Sequence, residues 1–135
     1  MKHFVLSLTL LLSLPAVSQA HFIWLLTGSG EDAGRVQVFF GEAAEPDDPD
    51  LLDRILKAQA WSVGTRGKPE KLTLTKGEEA LEGTLSEKSR QNAVVLSHTY
   101  GVFTRGESSF LLNYYAKAYP YALPGTWHAI DDERR

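Results

Sequence analysis

The sequence predicts an all-β fold, an immunoglobulin-like antiparallel β-sandwich with one short helix. Several short segments rich in β-branched and aromatic residues are separated at regular intervals by turn residues, which is typical of such sandwiches. Only one segment carries apolar residues at helical spacing. The chain has no cysteine, so the fold has to be stabilised by its core rather than by disulfide bonds.

The first twenty residues have the pattern of a secretory signal peptide. Lys2 provides a positive start, and residues 4–14 form an apolar run too short to span a bilayer as a permanent helix. Pro15 ends that run, and small residues stand at positions −3 and −1 of a cleavage site after Ala20. We therefore predict a mature domain of residues 21–135 in the periplasm or outside the cell.

The mature chain begins with two predicted strands. Residues 21–26 are apolar and β-rich, residues 27–34 contain the glycines of a turn or loop, and residues 35–40 begin with strict alternation. A hairpin between the two strands is the expected arrangement.

The one helical pattern follows an acidic loop at residues 42–50. Asp48 is suited to cap the helix, Pro49 to its first position, and Asp50 to its first turn. The apolar residues that follow lie at helical spacing and predict a helix of two to three turns packed on the sheet. They are Leu51, Leu52, Ile55 and Leu56.

The second half of the chain predicts further strands. Residues 64–69 read as a loop, residues 71–75 as a half-exposed strand and residues 80–85 as a weaker one. Residues 93–103 and 109–119 are the strongest late strands. Residues 120–135 are aromatic and loop-like without a closing strand, so we expect a sandwich that is incomplete at its C-terminal end.

Charge and motifs exclude several classes of function. The net charge is −3 and basic residues form no patch, which argues against nucleic-acid binding. No second apolar stretch reaches membrane-spanning length, so we expect no membrane insertion after processing. Signatures of nucleophilic, phosphate-binding and zinc-hydrolase sites are missing, and the sequence favours a protein that is not an enzyme.

His21 is the first candidate metal ligand. Cleavage after Ala20 gives it a free α-amine beside its imidazole, and these two nitrogens together with a second histidine form the T-shaped "histidine brace". Nitrogen donors in a tetragonal plane suit Cu(II) or Ni(II). The competing interpretation is a histidine that follows a signal peptide by chance.

Two histidines are candidates for the second ligand. His98 shares one face of its strand with Val94, Leu96 and Tyr100 by the period of two, and Tyr100 would then lie near the metal as an axial neighbour. A core histidine without a metal is the alternative interpretation. His128, in the C-terminal segment, is the competing partner.

Other features have plainer interpretations. The acidic loop lacks the spacing of a calcium loop, and a solvated loop that caps the helix explains it better. Tyr114, Tyr115, Tyr119 and Tyr121 with Trp127 are suited to a sugar-stacking surface or to filling the core and rim.

Several motifs together resemble a known family. They are His-Phe-Ile-Trp-Leu at 21–25, Val-Gln-Val-Phe-Phe-Gly-Glu at 36–42, Tyr-Gly-Val-Phe at 100–103 and Leu-Leu-Asn-Tyr-Tyr-Ala-Lys at 111–117. In order and spacing they are similar to the DUF4198 family, exported bacterial proteins described in some cases as NikM-like. The resemblance implies a periplasmic β-sandwich with a role in transition-metal uptake, with the family's amino-terminal histidine at His21.

The expected function is therefore capture of copper or nickel through His21 and delivery to a partner such as a membrane metal transporter. Two alternatives stay open. One is a non-catalytic immunoglobulin-like module that presents Tyr and Trp to a sugar or protein partner. The other is an oxidative copper enzyme that uses the same brace.

Overall fold

A computed structural model describes residues 20–66 and 68–119, which form two four-stranded antiparallel sheets. The leader residues 1–19, with the predicted cleavage signal, and the C-terminal residues 120–135 lie outside the described residues. The eight strands are β1 (Phe22–Thr27), β2 (Arg35–Gly41), β3 (Gln59–Val63), β4 (Glu70–Leu72), β5 (Thr75–Lys76), β6 (Leu81–Thr84), β7 (Ala93–Arg105) and β8 (Ser108–Ala118).

The strand order confirms the predicted all-β sandwich. One sheet has the order β1-β2-β6-β5 and the other the order β4-β3-β7-β8. This is the ABED sheet facing a CFG sheet extended by C′, the arrangement of immunoglobulin-like domains. No helix of the described residues is long and apolar enough to cross a membrane.

The predicted hairpin of the first two strands is confirmed, and the two late strands form a second hairpin. β1 and β2 pair from Phe22 opposite Gly41 to Thr27 opposite Val36. β7 and β8 pair along almost their whole length, and Gly106 in their turn has a φ of 63°, which a side chain would disfavour. The two hairpins place the start of β1 and the middle of β8 side by side.

The predicted short helix is present as a 3₁₀ helix, Pro49–Ile55. Its predicted cap is present, because the Asp48 side chain accepts a hydrogen bond from the Asp50 amide at 3.0 Å. Residues three apart are aligned in a 3₁₀ helix, so Leu52 and Ile55 are buried together. Leu56 follows the end of the helix and is 51% exposed, contrary to the predicted apolar face.

One strand was not predicted, and one strand prediction was wrong. Gln59–Val63 forms a central strand between β4 and β7 that the sequence did not predict, because its inward residues, Ala60 and Ser62, are small or polar. The predicted strand 71–75 is divided, since Leu72 ends β4 in one sheet and Thr75 begins β5 in the other. Alternation indicates which side chains face the core, but not which sheet holds them.

The core lies between the two sheets and is closed on one side by the 3₁₀ helix Pro49–Ile55. Its centre is a cluster of aliphatic and aromatic side chains, and their burial supplies the main stabilisation of a domain without disulfides. They are Val36, Val38, Phe40, Leu52, Ile55, Ala60, Leu72, Leu81, Leu85, Val94 and Leu96.

Candidate metal site

Five rings form an aromatic cluster at one end of the sandwich: His21, Phe40, His98, Tyr100 and Tyr114. Phe40 lies in the middle, with its ring centroid 5.8 Å from His21, 5.9 Å from Tyr100 and 5.8 Å from Tyr114. Tyr100 stands edge-to-face against Tyr114 at 6.0 Å and against His98 at 6.2 Å. These separations are typical of favourable aromatic contacts.

The late hairpin sets the positions of three of these rings. His98 and Tyr114 are directly opposite each other on β7 and β8, so they share the face toward the other sheet. The register shifts between Thr99 and Gly101, which leaves Tyr100 as the extra residue of a β-bulge. Gly101 accommodates this irregularity with a φ of 128°. The bulge therefore directs Tyr100 toward Phe40 and His98.

His21 is fixed by contacts of both its main chain and its ring. It immediately precedes β1 and is partly buried. The Tyr114 hydroxyl donates a hydrogen bond to the His21 carbonyl at 3.0 Å, and the His21 ring packs on Phe40. His21 thus belongs to the folded domain and not to a free tail.

His98 is the most unusual member of the cluster. Its side chain is only 5% exposed, and neither ring nitrogen has a hydrogen-bond partner among the described residues. Burial lowers the pKa of His98, and a smaller opposing effect comes from the nearby main chain of Arg54. The imidazole is therefore favoured in its neutral form, with one nitrogen lone pair available.

The two tyrosines have different polar environments. Arg54 donates a hydrogen bond from its guanidinium to the Tyr100 hydroxyl at 3.1 Å. Burial, and then the proximity of Tyr100, raise the pKa of Tyr114, so that its hydroxyl keeps the proton it donates to His21. The phenol of Tyr114 is therefore a neutral partner of the cluster near neutral pH.

The structure brings two of the three predicted ligands into one cluster. His21 and His98 are linked through Phe40 and Tyr100, and their own rings are not in contact with each other. His128 lies outside the described residues. Within residues 20–66 and 68–119, no group of three His, Asp or Glu side chains is arranged for a metal ion. The α-amine of a processed His21 is a main-chain group and would be a ligand in addition to such side chains.

Sequence reasoning overlooked Phe40 and Tyr114 as members of the cluster. Of the two interpretations of the tyrosines, filling of the core and rim holds for Tyr114, which a period of two places with Leu112 and Ala116 rather than with the exposed Tyr115. In the acidic loop, Asp47 accepts a hydrogen bond from the Asp48 amide at 2.7 Å, and Asp48 caps the 3₁₀ helix. These two carboxylates serve the turn itself.

Fold and cluster together define an immunoglobulin-like β-sandwich with two histidines and two tyrosines gathered at one end. In comparisons with protein-family models, with curated proteins and with solved structures, nothing matches this chain. Its function is therefore inferred from its own residues.

Proposed function

We propose that this chain is an exported transition-metal-binding protein in which the amino-terminal His21 of the processed form chelates Cu(II) or Ni(II). The α-amine and Nδ1 of His21 supply two nitrogens, and His98 supplies the third. The protein would capture the ion and pass it to a membrane transporter, without catalysing a reaction. The resemblance to the DUF4198 family suggests the same role.

The observation that carries this proposal is the pair of unpartnered nitrogens on buried His98. A buried polar atom without a hydrogen bond costs about 1–3 kcal/mol, and native proteins retain few of them. A bound metal ion would satisfy one nitrogen directly. The lowered pKa of His98 supports this role, because only the neutral imidazole binds a metal.

Tyr114 would act as a positioning residue for the chelate. Its hydrogen bond to the His21 carbonyl fixes the main chain that carries the α-amine. Metal–nitrogen bonds of about 2 Å bring the two donor imidazoles to within about 4 Å of each other. Because the His21 ring rests on Phe40, we expect metal binding to alter that contact.

The direct test is a titration with Cu(II) and Ni(II) of the processed protein that begins at His21, followed by calorimetry and electron paramagnetic resonance. The control carries one additional Ala before His21, which removes the α-amine from the chelate. We expect one-to-one binding with nitrogen hyperfine structure, and at least about tenfold weaker binding in the control. Equal binding by the two forms would refute the His21 chelate.

The third ligand is tested separately with His98→Ala, which should remove one nitrogen from the resonance spectrum. For the positioning role, Tyr114→Phe keeps the ring but loses the hydrogen bond to His21. Tyr115→Phe, on the adjacent and exposed residue, is the matched control. Weaker metal binding in Tyr114→Phe alone would support the assignment, and identical affinities would contradict it.

The alternative function is a non-catalytic interaction module, and one feature favours it. The part of β7 and β8 beyond the bulge, residues 101–112, forms a hairpin arm with exposed apolar side chains on both faces. Tyr115, which is 80% exposed on the same strand, adds an aromatic surface. Failure of the metal titration with the correctly processed protein would favour this module, for a sugar or protein partner.

A further inference from the structure

The hairpin arm exposes more apolar surface than a solvated turn requires. Val102, Phe103, Phe110 and Leu111 are 71%, 53%, 56% and 62% exposed. They form two cross-strand pairs, Val102 with Leu111 on one face and Phe103 with Phe110 on the other. At roughly 150–200 Å² for each side chain, each face of the arm exposes roughly 200 Å² of apolar area.

Within the described residues, β8 is an edge strand of its sheet, and the arm lies ahead of the part of β8 that is hydrogen-bonded to His21. Within the described part of the chain, β8 is the last strand of the order β4-β3-β7-β8. Exposed edge strands are normally protected from pairing by charged side chains, by proline or by bulges. Residues 108–116 contain no charged residue and no proline, and the bulge of this hairpin lies on β7. Along the arm, the edge of β8 is therefore suited to receive another strand.

We propose that the arm is a dimer interface in which β8 pairs antiparallel with β8 of a second copy of this chain. Two-fold symmetry requires that each residue pairs with one on the same face of the sheet. A register centred on Leu111 satisfies this condition. It places Leu111 opposite Leu111 of the second copy, Phe110 opposite Leu112, and Ser109 opposite Asn113.

This register is self-complementary in polarity as well as in direction. In these pairs the apolar Phe110 lies opposite the apolar Leu112, and the polar Ser109 lies opposite the polar Asn113. Pairing of the two edges covers only the part of each apolar side chain that lies beside the seam. The buried area therefore stays below the roughly 1,200 Å² of stable interfaces, which fits a weak dimer.

The test measures the mass of the chain from His21 to Arg135 by sedimentation equilibrium and light scattering. EDTA is present throughout, so that the result does not depend on the proposed metal site. We expect twice the monomer mass at the higher protein concentrations. Leu111→Lys should weaken the dimer at least about tenfold, because a lysine on an edge strand opposes pairing.

Leu56→Lys is the matched control, since Leu56 is also an exposed leucine but follows the 3₁₀ helix and is not part of β8. It should leave the dimer unchanged. Circular dichroism of both variants verifies that each remains folded. A monomer at every concentration at which the protein stays in solution, or a dimer that Leu111→Lys leaves intact, would overturn the proposal.

The register itself is tested with new cysteines, because the natural chain has none. In the proposed dimer the two copies of residue 111 have Cβ atoms about 5 Å apart, so Leu111→Cys should form an intermolecular disulfide under mild oxidation. Two copies of residue 113 are about 14 Å apart along the strands, so Asn113→Cys should not. Equal cross-linking of both variants would reject this register.

Discussion

Replacement of His98 by leucine should make the protein more stable. A neutral imidazole carries one hydrogen-bond donor and one acceptor, and both ring nitrogens of His98 are buried without a partner. Leucine is apolar and fits the surroundings on its strand, where Leu96 and Val94 are buried on the same face. His98→Leu therefore removes a desolvation penalty and keeps the site filled.

The size of the effect follows from two opposing contributions. Two unsatisfied groups at about 1–3 kcal/mol each give a gain of about 2–6 kcal/mol. The loss of the edge-to-face contact with Tyr100 costs about 1 kcal/mol, and imperfect repacking costs up to about 1.5 kcal/mol. We expect a net gain of about 2 kcal/mol, or about 8 °C in Tm for a domain of this size.

The assay is thermal unfolding of the processed chain in EDTA near pH 8, where histidine is neutral. His98→Asn is the matched control, because it keeps polar atoms in the same apolar position and should not stabilise. A loss of more than about 1 kcal/mol in His98→Leu would refute the reasoning, since it would mean that the nitrogens already have partners. If His98 is a metal ligand, the stabilised variant should also bind Cu(II) less tightly than the natural protein. Such an exchange of function for stability is common when a functional residue is replaced.

Three further changes test the structure. Because burial lowers the pKa of His98 in the folded protein, the unfolded chain binds this proton at a higher pH than the folded one. The free energy of unfolding should therefore be unaffected above about pH 6.5 and fall below it by at most about 1.4 kcal/mol per pH unit. Urea titrations at several pH values should show a smaller loss in His98→Leu. Gly101→Ala should cost about 1–3 kcal/mol of stability, because its φ of 128° disfavours a side chain. Gly30→Ala is the control: its φ is 60°, the new Cβ also meets open space, and the expected cost is only about 1 kcal/mol. Equal losses would argue against strain at the bulge. Asp48→Ala should cost about 1 kcal/mol of stability, because it removes the cap of the 3₁₀ helix, and Asp48→Asn should cost much less. Urea denaturation that shows no difference between the two variants would contradict this capping role.

The sequence by itself determined the local features of this protein. Alternation in β2 and the apolar runs of the late hairpin identified strands within one or two residues of their observed ends. Glycines marked the turns, and the Asp48–Pro49 pair marked the start of the helical segment. These features depend on backbone conformation and on the spacing of side chains along one segment. Both are determined by residues close together in the sequence.

The sequence also indicated part of the candidate site. The period of two placed His98 on the inward face with Leu96, and the position of His21 before β1 placed it at an edge of the domain. Neither observation could show that His98 lacks hydrogen-bond partners, because that depends on the side chains that surround it in three dimensions. The metal-binding role stays a prediction.

Tertiary structure decided the remaining features. Only the pairing of strands shows that residues 71–75 cross from one sheet to the other, and that Gln59–Val63 is central despite its weak pattern. The bulge that turns Tyr100 toward Phe40 depends on a register between β7 and β8. The aromatic cluster joins residues 93 positions apart, as in the hydrogen bond from Tyr114 to His21. Such contacts follow from how whole strands pack together, which the periodicity of any one segment does not specify.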